Sequence, residues 1–521
     1  RTAVSDAGVK RISALGLLAS VLAFADWMKQ QPDKGDMTGV VLPPSAAGVI
    51  ANCGLLIAGK VPVNLNYTAG KDAQASAVRQ CKIQTIISSR RVLEKIPLLG
   101  LSAAEAAGAE LPHVLYLEDF EQTFTWPRKL YYAAAALVLP CFAIERLFFV
   151  RKFSRDDIAT VIFSSGSTGE PKGVLLSHAN ISANIKSIYE IYQFKADDCV
   201  AGVLPFFHSF GFTGTLWLPL LGGFRAAYHH NPLDAAAVGR LVEEHQATMV
   251  MSTPTFLLGY IRRCGPEQFK SLRYVMTGAE KLKERIAESF VEKFGIVPRE
   301  GYGCTELSPL AIANIEGYSG KDTSGRDNVQ QVGQKLGTVG HPIPGVAVRI
   351  VDPDRFSPLP VGAEGLLLVR GANVMRGYLG HPERTKEVMR DGWYVTGDIA
   401  RIDEDGFVTI TDRLSRFSKI AGEMVPHVRI EEAIHKALGE HDNAHVVTAV
   451  ADEKRGEKLV VLSTKDVDPR ELNKKLVELG LPNLWIPAPD NYYRIEAIPL
   501  LGSGKLDLSA VKALAQEKAR S

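Results

Sequence analysis

A serine- and glycine-rich stretch follows an apolar segment at residues 161–178, which read VIFSSGSTGEPKGVLLSH. Glycines let the backbone approach an anion and present N–H groups to it, hydroxyls add donors, and a lysine adds positive charge. The stretch is not a Walker A loop, because no glycine precedes a lysine and a serine or threonine at the required spacing. The pattern predicts a phosphate-binding loop that contains Ser164, Ser165, Gly166, Ser167, Thr168, Gly169 and Lys172.

Four shorter stretches contain further residues that could do chemistry: FFHSFG (206–211), GYGCTE (301–306), YVTGD (394–398) and PLLGSGKLDL (499–508). A hard cation prefers a carboxylate together with phosphate oxygens, and a purine prefers a flat apolar surface, so Glu306 and Tyr302 suit a nucleotide site. Each stretch alone is a weak signal. A Thr-Gly-Asp sequence is usually a turn, and a histidine beside three phenylalanines is more often a core residue.

Taken together and in this order, the stretches resemble the signatures of the adenylate-forming superfamily. This superfamily contains acyl-CoA synthetases, peptide-synthetase adenylation domains and firefly luciferase, and the resemblance runs from about Thr38 to about Leu514. It implies an acid–thiol ligase that uses ATP and Mg²⁺ to activate a carboxylic acid as an acyl-adenylate.

The resemblance also implies roles for the nucleotide-binding residues. The Ser/Gly-rich loop would hold the β- and γ-phosphates of ATP. Tyr302 would stack on adenine, Thr305 would meet the phosphates, Glu306 would hold magnesium, and Asp398 would accept hydrogen bonds from the ribose hydroxyls. The other nucleotide-site residues that the resemblance implies are Gly278, Ala279 and Glu280 along the adenine pocket, and Arg413 at the boundary to the last domain.

Two residues would act with Thr305 and Glu306 in catalysis, again by resemblance. His208 would help to position the carboxylate and gate the site. Lys505 would reach into the site during adenylation, where a fixed ammonium stabilises the negative charge that builds up as the carboxylate attacks the α-phosphorus.

The segment SRFSKIAGEMVPHVRIEE (415–432) resembles the family's hinge and the lining of its pantetheine tunnel. Ser415 stands at the usual pivot, and Gly422 and Glu423 match the tunnel-lining loop. Most family members have a charged residue at the pivot followed by an aspartate, whereas this chain has Ser415 and Arg416. Rotation of the last domain would let one pocket perform adenylation and then thioester formation.

Three stretches resemble, within the superfamily, the acyl-acyl-carrier-protein synthetase portion of bacterial bifunctional 2-acylglycerophosphoethanolamine acyltransferases. They are LSRFSKIAGEMVPH, YHHNPLDAAAVGRLVEEHQATMVMSTPTF and GLPNLWIPAPDNYYRIEAIPLLGSGKLD. This resemblance implies a fatty acid as substrate, acyl carrier protein as acceptor, a link to lysophospholipid reacylation, and a preceding acyltransferase domain that is missing from this chain. A long-chain acyl-CoA synthetase, with CoA as acceptor, is the alternative.

Two alternative interpretations of the function come from other classes: a lysophospholipid acyltransferase component and a non-catalytic nucleotide-binding relative. The intact set of Lys172, Glu306, Asp398 and Lys505 argues against the second. His229 and Asp234 have the His-x4-Asp spacing of acyltransferases, but Asn-Pro-Leu-Asp predicts a turn followed by a helix N-cap, so we reject a catalytic pair there.

The elements that must position these residues follow an α/β pattern. Apolar runs such as VAGVLPF, ATMVMSTP and LRYVMTGAE predict buried strands, and AVGRLVEEHQ and LKERIAESFVEKFG predict amphipathic helices, which together favour two helix-covered, mostly parallel sheets. Short alternating strands after Gly337 predict a β-rich subdomain at about residues 337–412. We therefore predict a large adenylating domain at 1–412 and a small, mobile α+β domain at 413–521, with helices around Ile430–Leu438 and Pro469–Leu479.

Composition argues against nucleic acid as the main partner, because 60 basic and 58 acidic residues give a net charge of only +2. Six scattered cysteines without metal or redox spacing favour a reducing, cytoplasmic setting. The apolar stretch Tyr131–Ile144 is too short to span a bilayer and contains Pro140. It predicts either a buried helix or an interfacial helix resting on a membrane surface. The resemblance implies that this surface would be the cytoplasmic face of the inner membrane, in peripheral contact with the protein.

Overall fold

The fold is available as a computed structural model that describes most of the chain. The described residues are 2–6, 11–32, 35–95, 112–164, 170–321, 327–420, 423–439, 444–452, 456–500 and 506–519.

A long sheet of nine strands forms the centre of the large N-terminal domain. Its strands, in order across the sheet, are His341–Pro342, Leu310–Ala313, Arg299–Gly303, Tyr274–Thr277, Met249–Ser252, Cys199–Gly202, Arg225–Tyr228, Thr2–Asp6 and Ile12–Ser13. The six strands from Arg299–Gly303 to Thr2–Asp6 are parallel, and the strands outside them are antiparallel. The three predicted strands are all in the parallel part, where they are fully buried because helices cover the sheet.

A second parallel sheet and a small antiparallel sheet complete the α/β part. The parallel sheet has the order Val61–Asn64, Met37–Val40, Thr85–Ser88 and His113–Tyr116. The antiparallel sheet has the order Gly377–Tyr378, Lys172–Ser177 and Ile158–Ser164, so the predicted phosphate loop joins two neighbouring strands. The prediction of two helix-covered, mostly parallel sheets is confirmed.

The β-rich region after Gly337 is an antiparallel sheet, as predicted. It contains Val346–Val351, Gly365–Gly371, Met389–Arg390, Trp393–Ile402 and Val408–Arg413. A separate antiparallel hairpin, Tyr318–Lys321 with Asp327–Gln331, precedes it.

The small C-terminal domain has its own sheet and its own core. The sheet has the order Glu423–Pro426, Phe417–Ile420, Gly456–Ser463 and His445–Asp452, and Tyr492–Arg494 pairs in parallel with Gly456–Ser463. Helices pack on both faces, with apolar clusters around Ile430 and Leu476 on one and Val511 on the other. The domain limits at residues 412 and 413 remain a prediction.

Helices surround these sheets. The α-helices are Ala14–Lys29, Ala46–Ile57, Lys71–Gln80, Arg90–Lys95, Leu117–Thr123, Trp126–Val138, Cys141–Phe148, His178–Ile191, Ser209–Gly211, Leu218–Gly222, Ala235–His245, Pro254–Arg263, Glu284–Phe294, Pro382–Val388, His427–Leu438, Pro469–Glu478 and Leu508–Lys518. A π-helical turn covers Phe212–Trp217, and 3₁₀ turns cover Pro266–Phe269, Thr305–Leu307, Leu414–Arg416, Asn483–Trp485 and Pro489–Asn491.

The stretch Tyr131–Ile144 is divided between two helices, Trp126–Val138 and Cys141–Phe148. Leu139 has extended backbone angles, φ −78° and ψ 134°, because a residue before proline is kept out of the helical region. Only part of the stretch is buried, so the buried-helix interpretation holds for its inner face alone. None of the helices described is long and apolar enough to cross a membrane.

Candidate functional site

The candidate site lies at the carboxyl edge of the long sheet. Gly278 follows the strand Tyr274–Thr277, and Tyr302 lies near the end of the strand Arg299–Gly303. His208 comes six residues after the strand Cys199–Gly202. Because parallel strands end at the same edge, these segments converge there, which is the usual place for a ligand in an open α/β sheet.

Tyr302, Asp398 and Arg413 form one connected group, although they come from three segments. The Tyr302 hydroxyl donates to Asp398 Oδ2 at 2.5 Å, and Arg413 Nε lies 3.3 Å from Asp398 Oδ1. Asp398 and Arg413 are a register pair on neighbouring antiparallel strands, Trp393–Ile402 and Val408–Arg413, which explains their proximity. Thr396 Oγ1 accepts from the Asp398 backbone N–H at 3.0 Å, which fixes the backbone at this position.

Burial dominates the electrostatics of this group. It raises the pKa of Asp398 above its usual range, while the Arg413 guanidinium and the Tyr302 hydrogen bond act in the opposite direction. Burial and the Asp398 carboxylate raise the pKa of Tyr302 well above its usual value, so this tyrosine remains a neutral donor. A carboxylate held in this way can accept hydrogen bonds from a vicinal diol.

Glu306 and Lys172 are connected through Tyr378. The Tyr378 hydroxyl donates to Glu306 Oε1 at 2.8 Å, and Lys172 Nζ lies 5.2 Å from the centre of the Tyr378 ring. Glu306 is 8% exposed, and its backbone carbonyl accepts from Met375 N at 2.8 Å. Burial, followed by the Glu306 carboxylate, raises the pKa of Tyr378 and keeps its hydroxyl neutral. The arrangement places the Glu306 carboxyl group at the hydroxyl of Tyr378 and the Lys172 amino group over the ring of the same residue.

His208 and Thr305 are linked through Ser209. Ser209 Oγ lies 3.4 Å from Thr305 Oγ1, and His208 Nδ1 accepts from Phe210 N at 3.4 Å at the start of the short helix Ser209–Gly211. His208 is exposed whereas Phe206 is buried, so the alternative of a core histidine is wrong. The Ser209–Thr305 contact brings the segment that carries the exposed His208 next to the GYGCTE segment.

The segment Gly278–Glu280 lies against the strand of Tyr302. A Cβ atom at Gly278 would come within 3.2 Å of the Gly301 carbonyl oxygen, so glycine permits this close approach. Ala279 has φ +68°, a left-handed conformation that turns the chain away from the sheet. Glu280 is exposed, and its carboxylate accepts from Thr255 Oγ1 at 2.7 Å.

Several predicted site residues lie outside the described residues: Ser165, Gly166, Ser167, Thr168, Gly169, Gly422 and Lys505. Of their neighbours, Ser164 ends the strand Ile158–Ser164, Ser415 is in the turn Leu414–Arg416, and exposed Glu423 begins the strand Glu423–Pro426. Arg416, beside the predicted pivot, forms a 2.5 Å ion pair with Glu431 in which both side chains are 13% exposed. This pair attaches the pivot segment to the helix His427–Leu438.

Sequence reasoning missed Tyr378, Ser209, Tyr394 and Cys304. Ser209, Tyr394 and Cys304 each lie within a stretch that drew attention, and burial raises the pKa of the Cys304 thiol well above its usual value. Tyr378 carries no local signal, because its partner Glu306 is 72 residues away in sequence.

Comparisons with known proteins support one family. A family model described as AMP-binding enzyme matches residues 1–379. The long-chain-fatty-acid–CoA ligase of Bacillus subtilis (strain 168) is 27% identical over 486 residues, which cover 88% of this chain and 81% of that protein. A feruloyl-CoA synthase of an Amycolatopsis species is 30% identical over 357 residues, 67% of this chain and 68% of that protein.

Solved structures have the same fold. The structure of ATP-bound MatB from Rhodopseudomonas palustris matches with a TM-score of 0.77 at 23% identity, over 99% of this chain and 96% of that chain. O-succinylbenzoate coenzyme A synthetase (MenE) from Bacillus subtilis, in complex with AMP, matches with a TM-score of 0.75 at 20% identity, over 98% and 95% of the two chains.

Proposed function

The chain belongs to the AMP-binding enzyme family, an ATP-dependent, adenylate-forming family, and on that premise we propose that it is a fatty-acid–CoA ligase. One observation carries the proposal. The Tyr302–Asp398–Arg413 group and the Lys172–Tyr378–Glu306 group lie at opposite ends of the six-residue segment GYGCTE. Tyr302, which contacts the carboxylate proposed for ribose, and Glu306, proposed for the metal and phosphates, are then only four residues apart in this segment.

The nucleoside part of ATP would bind at Asp398. Its two oxygens would accept from the ribose hydroxyls, and the Tyr302 ring would offer a flat surface to adenine. Arg413 partly offsets the cost of burying the carboxylate and thereby favours the ionised form that a diol requires.

The phosphates would bind between Lys172 and Glu306. Mg²⁺ in proteins commonly takes one or two carboxylates together with substrate phosphates and water, and a buried glutamate facing a lysine-bearing strand fits that donor set. When bound there, Mg²⁺ would neutralise charge on the ATP phosphates. Tyr378 would hold the Glu306 carboxylate in place by the 2.8 Å hydrogen bond.

The proposed reaction has two steps. In the first, a carboxylate oxygen of the acid attacks the α-phosphorus, the bond to the leaving pyrophosphate breaks, and the acyl-adenylate forms. In the second, a thiol loses its proton and attacks the acyl carbon, and AMP leaves. We assign Lys505 and Thr305 to charge stabilisation in the first step and His208 to positioning of the carboxylate.

The comparisons support CoA as the acceptor better than acyl carrier protein. The relatives described above are named as a CoA ligase and a CoA synthase, and the one that covers more of this chain is named for long-chain fatty acids. Acyl carrier protein and the link to lysophospholipids remain predictions from the sequence resemblance. A cytoplasmic location is consistent with six free cysteines.

We further propose that the second step uses rotation of a domain that begins near Arg413. Besides Arg413–Asp398 at the boundary itself, two ion pairs between described residues join the two proposed domains, Arg429 with Glu364 at 3.1 Å and Lys281 with Glu432 at 3.9 Å. The residues in both pairs are partly or largely exposed, and such pairs contribute only about 0–1 kcal/mol each. They can therefore break without a large cost.

The first experiment measures pyrophosphate release with ATP, Mg²⁺ and a long-chain fatty acid, with CoA or holo-acyl carrier protein in parallel. Acyl-CoA formation that is lost in Lys505→Ala supports the proposal. If a thioester forms only on acyl carrier protein, then acyl carrier protein rather than CoA is the acceptor. Activity with ferulate but not with fatty acids would contradict the proposed substrate.

A further inference from the structure

A cluster of exposed apolar side chains lies on the helical hairpin formed by Trp126–Val138 and Cys141–Phe148. Among the described residues, 20 large apolar side chains are exposed, and eight of them fall between Trp126 and Val150. These eight are Trp126, Leu130, Tyr131, Leu137, Val138, Phe142, Leu147 and Val150. Single exposed apolar residues are normal on a protein surface, but such a concentration marks an interaction site.

The spacing places the exposed apolar residues of the first helix on one face. Trp126, Leu130 and Ala134 follow at intervals of four, and Leu137 continues the row three residues later. The opposite face carries Tyr132 and Ala135, both buried. The exposed row is therefore an apolar strip along the outer face of this helix, and Phe142, Leu147 and Val150 add exposed apolar side chains in and after the second helix.

The inner face of the hairpin is fixed to the protein body. The Tyr132 hydroxyl donates to Asp26 Oδ2 at 3.1 Å, and Lys29 Nζ donates to the Phe148 carbonyl at 2.5 Å, both on the helix Ala14–Lys29. The Val150 N–H also donates to the Ile57 carbonyl at 3.3 Å. These contacts fix the inner face against the protein body and leave the apolar strip facing the solvent.

The charge around the strip is positive. Residues 126–152 contain five basic side chains and one acidic side chain, Glu145, which gives a net charge of +4; the basic ones are Arg128, Lys129, Arg146, Arg151 and Lys152. All six are exposed, and Arg151 also pairs with Asp157. In the preceding helix, Glu118 and Asp119 contact Arg90, and Glu121 is the other acidic side chain.

We propose that this hairpin docks the protein on the surface of an anionic lipid bilayer. An apolar strip with exposed Trp126 and Tyr131 and a basic rim is the composition of an interfacial helix, in which aromatic rings sit at headgroup level and basic groups meet anionic lipids. In this proposal the two helices, of 13 and eight residues, lie parallel to the bilayer surface. The inference goes beyond the proposed catalytic function, since it concerns a separate surface.

The test is co-sedimentation of the whole protein with vesicles of phosphatidylcholine or of equimolar phosphatidylcholine and phosphatidylglycerol. We expect binding to the anionic vesicles that weakens with salt. Leu137→Asp/Phe142→Asp, at positions 72% and 73% exposed, should weaken binding by roughly a hundredfold, since each buried apolar side chain contributes at least about tenfold. The matched control Leu233→Asp/Val361→Asp, at positions 71% and 65% exposed outside the hairpin, should bind as the unmodified protein does.

A second variant tests the basic rim without touching the apolar strip. Arg128→Gln/Lys129→Gln should weaken binding to anionic vesicles by roughly fivefold per residue. Pyrophosphate exchange without lipid should be unchanged in all three variants, so loss of vesicle binding remains distinguishable from loss of the proposed activity.

Three results would overturn the proposal. The first is that the unmodified protein does not sediment with anionic vesicles. The second is that Leu137→Asp/Phe142→Asp binds as tightly as the control. The third is a dimer without vesicle binding that dissociates in that variant during sedimentation-velocity measurements, because a second copy would then cover the strip.

Discussion

Replacement of Asp398 by asparagine tests the proposed ribose contact most directly. The carboxylate is 7% exposed and is held by the Tyr302 hydroxyl at 2.5 Å and Arg413 Nε at 3.3 Å, so asparagine fits without a rearrangement of the backbone. The amide keeps one acceptor oxygen and loses the negative charge. Two charge-assisted hydrogen bonds to the diol would become one neutral bond.

The expected loss follows from the hydrogen-bond types. Charge-assisted bonds contribute about 1.5–3 kcal/mol each and neutral ones about 0.5–1.5 kcal/mol. The difference is about 2.5–4.5 kcal/mol, or roughly a 70- to 2,000-fold lower kcat/KM for ATP. Stability should change by less than about 1 kcal/mol, because burial raises the pKa of Asp398 and the neutral amide avoids that desolvation cost.

The assay is ATP–pyrophosphate exchange with ATP and with 2′,3′-dideoxy-ATP. The unmodified enzyme should strongly prefer ATP, and Asp398→Asn should lose most of that preference. Asp405→Asn, the same chemical change at an exposed position of the β-rich region, is the matched control. If Asp398→Asn lost the same factor with both nucleotides, the carboxylate would not recognise the diol and the reasoning would fail.

Three further perturbations have defined outcomes. Tyr378→Phe removes the 2.8 Å hydrogen bond to Glu306. It should lower kcat/KM about tenfold and raise the Mg²⁺ concentration needed for half-maximal rate. An unchanged Mg²⁺ titration would contradict the proposal that Tyr378 positions the Glu306 carboxylate. Burial raises the pKa of Glu300 from 4.5 to about 7, so ionisation of Glu300 lowers the free energy of unfolding fully above pH 7 and less as the pH falls. Glu300→Gln should therefore be up to about 3 kcal/mol more stable than the unmodified protein in urea unfolding near pH 8. A stabilisation of the same size near pH 5 would show that ionisation of Glu300 is not its cause. Burial lowers the pKa of His427 from 6.5 to about 3, and Ser418 Oγ lies 2.6 Å from its Nε2. The contribution of neutral His427 to the free energy of unfolding is therefore complete above pH 6.5 and is lost as the pH falls toward 3. Near pH 5 this loss should be about 2 kcal/mol, and His427→Gln should show a correspondingly smaller decrease between pH 7 and 5 in the same unfolding measurement.

Local patterns in the sequence predicted several of the strands and helices that the structure contains. The short apolar runs around Val200, Met249 and Tyr274 are strands buried in a helix-covered sheet. The helix Ala235–His245 begins after Asp234, whose side chain caps it by accepting from Ala237 N at 3.0 Å. The same cap confirms the predicted helix N-cap at Asp234, which follows a turn at Pro232 and Leu233. Pro140 likewise explains why the stretch Tyr131–Ile144 is two helices rather than one.

Motif order identified the family, but not the contacts within the site. Tyr302 and Asp398 are 96 residues apart in sequence, and their hydrogen bond exists because the β-rich sheet packs against the carboxyl edge of the long sheet. Tyr378 reaches Glu306 for the same kind of reason, from a strand that pairs with the one carrying Lys172. The local sequence around each residue gives no indication of its hydrogen-bond partner.

The sequence by itself determined the chemistry that is available, because side-chain type and short-range spacing decide which loops can hold phosphate and which strands are buried. Only the tertiary structure decided which groups meet, how far burial moves the pKa of Asp398, and which face of the Trp126–Val138 helix remains exposed. These properties depend on desolvation and on distances between segments far apart in the chain, and packing alone sets both.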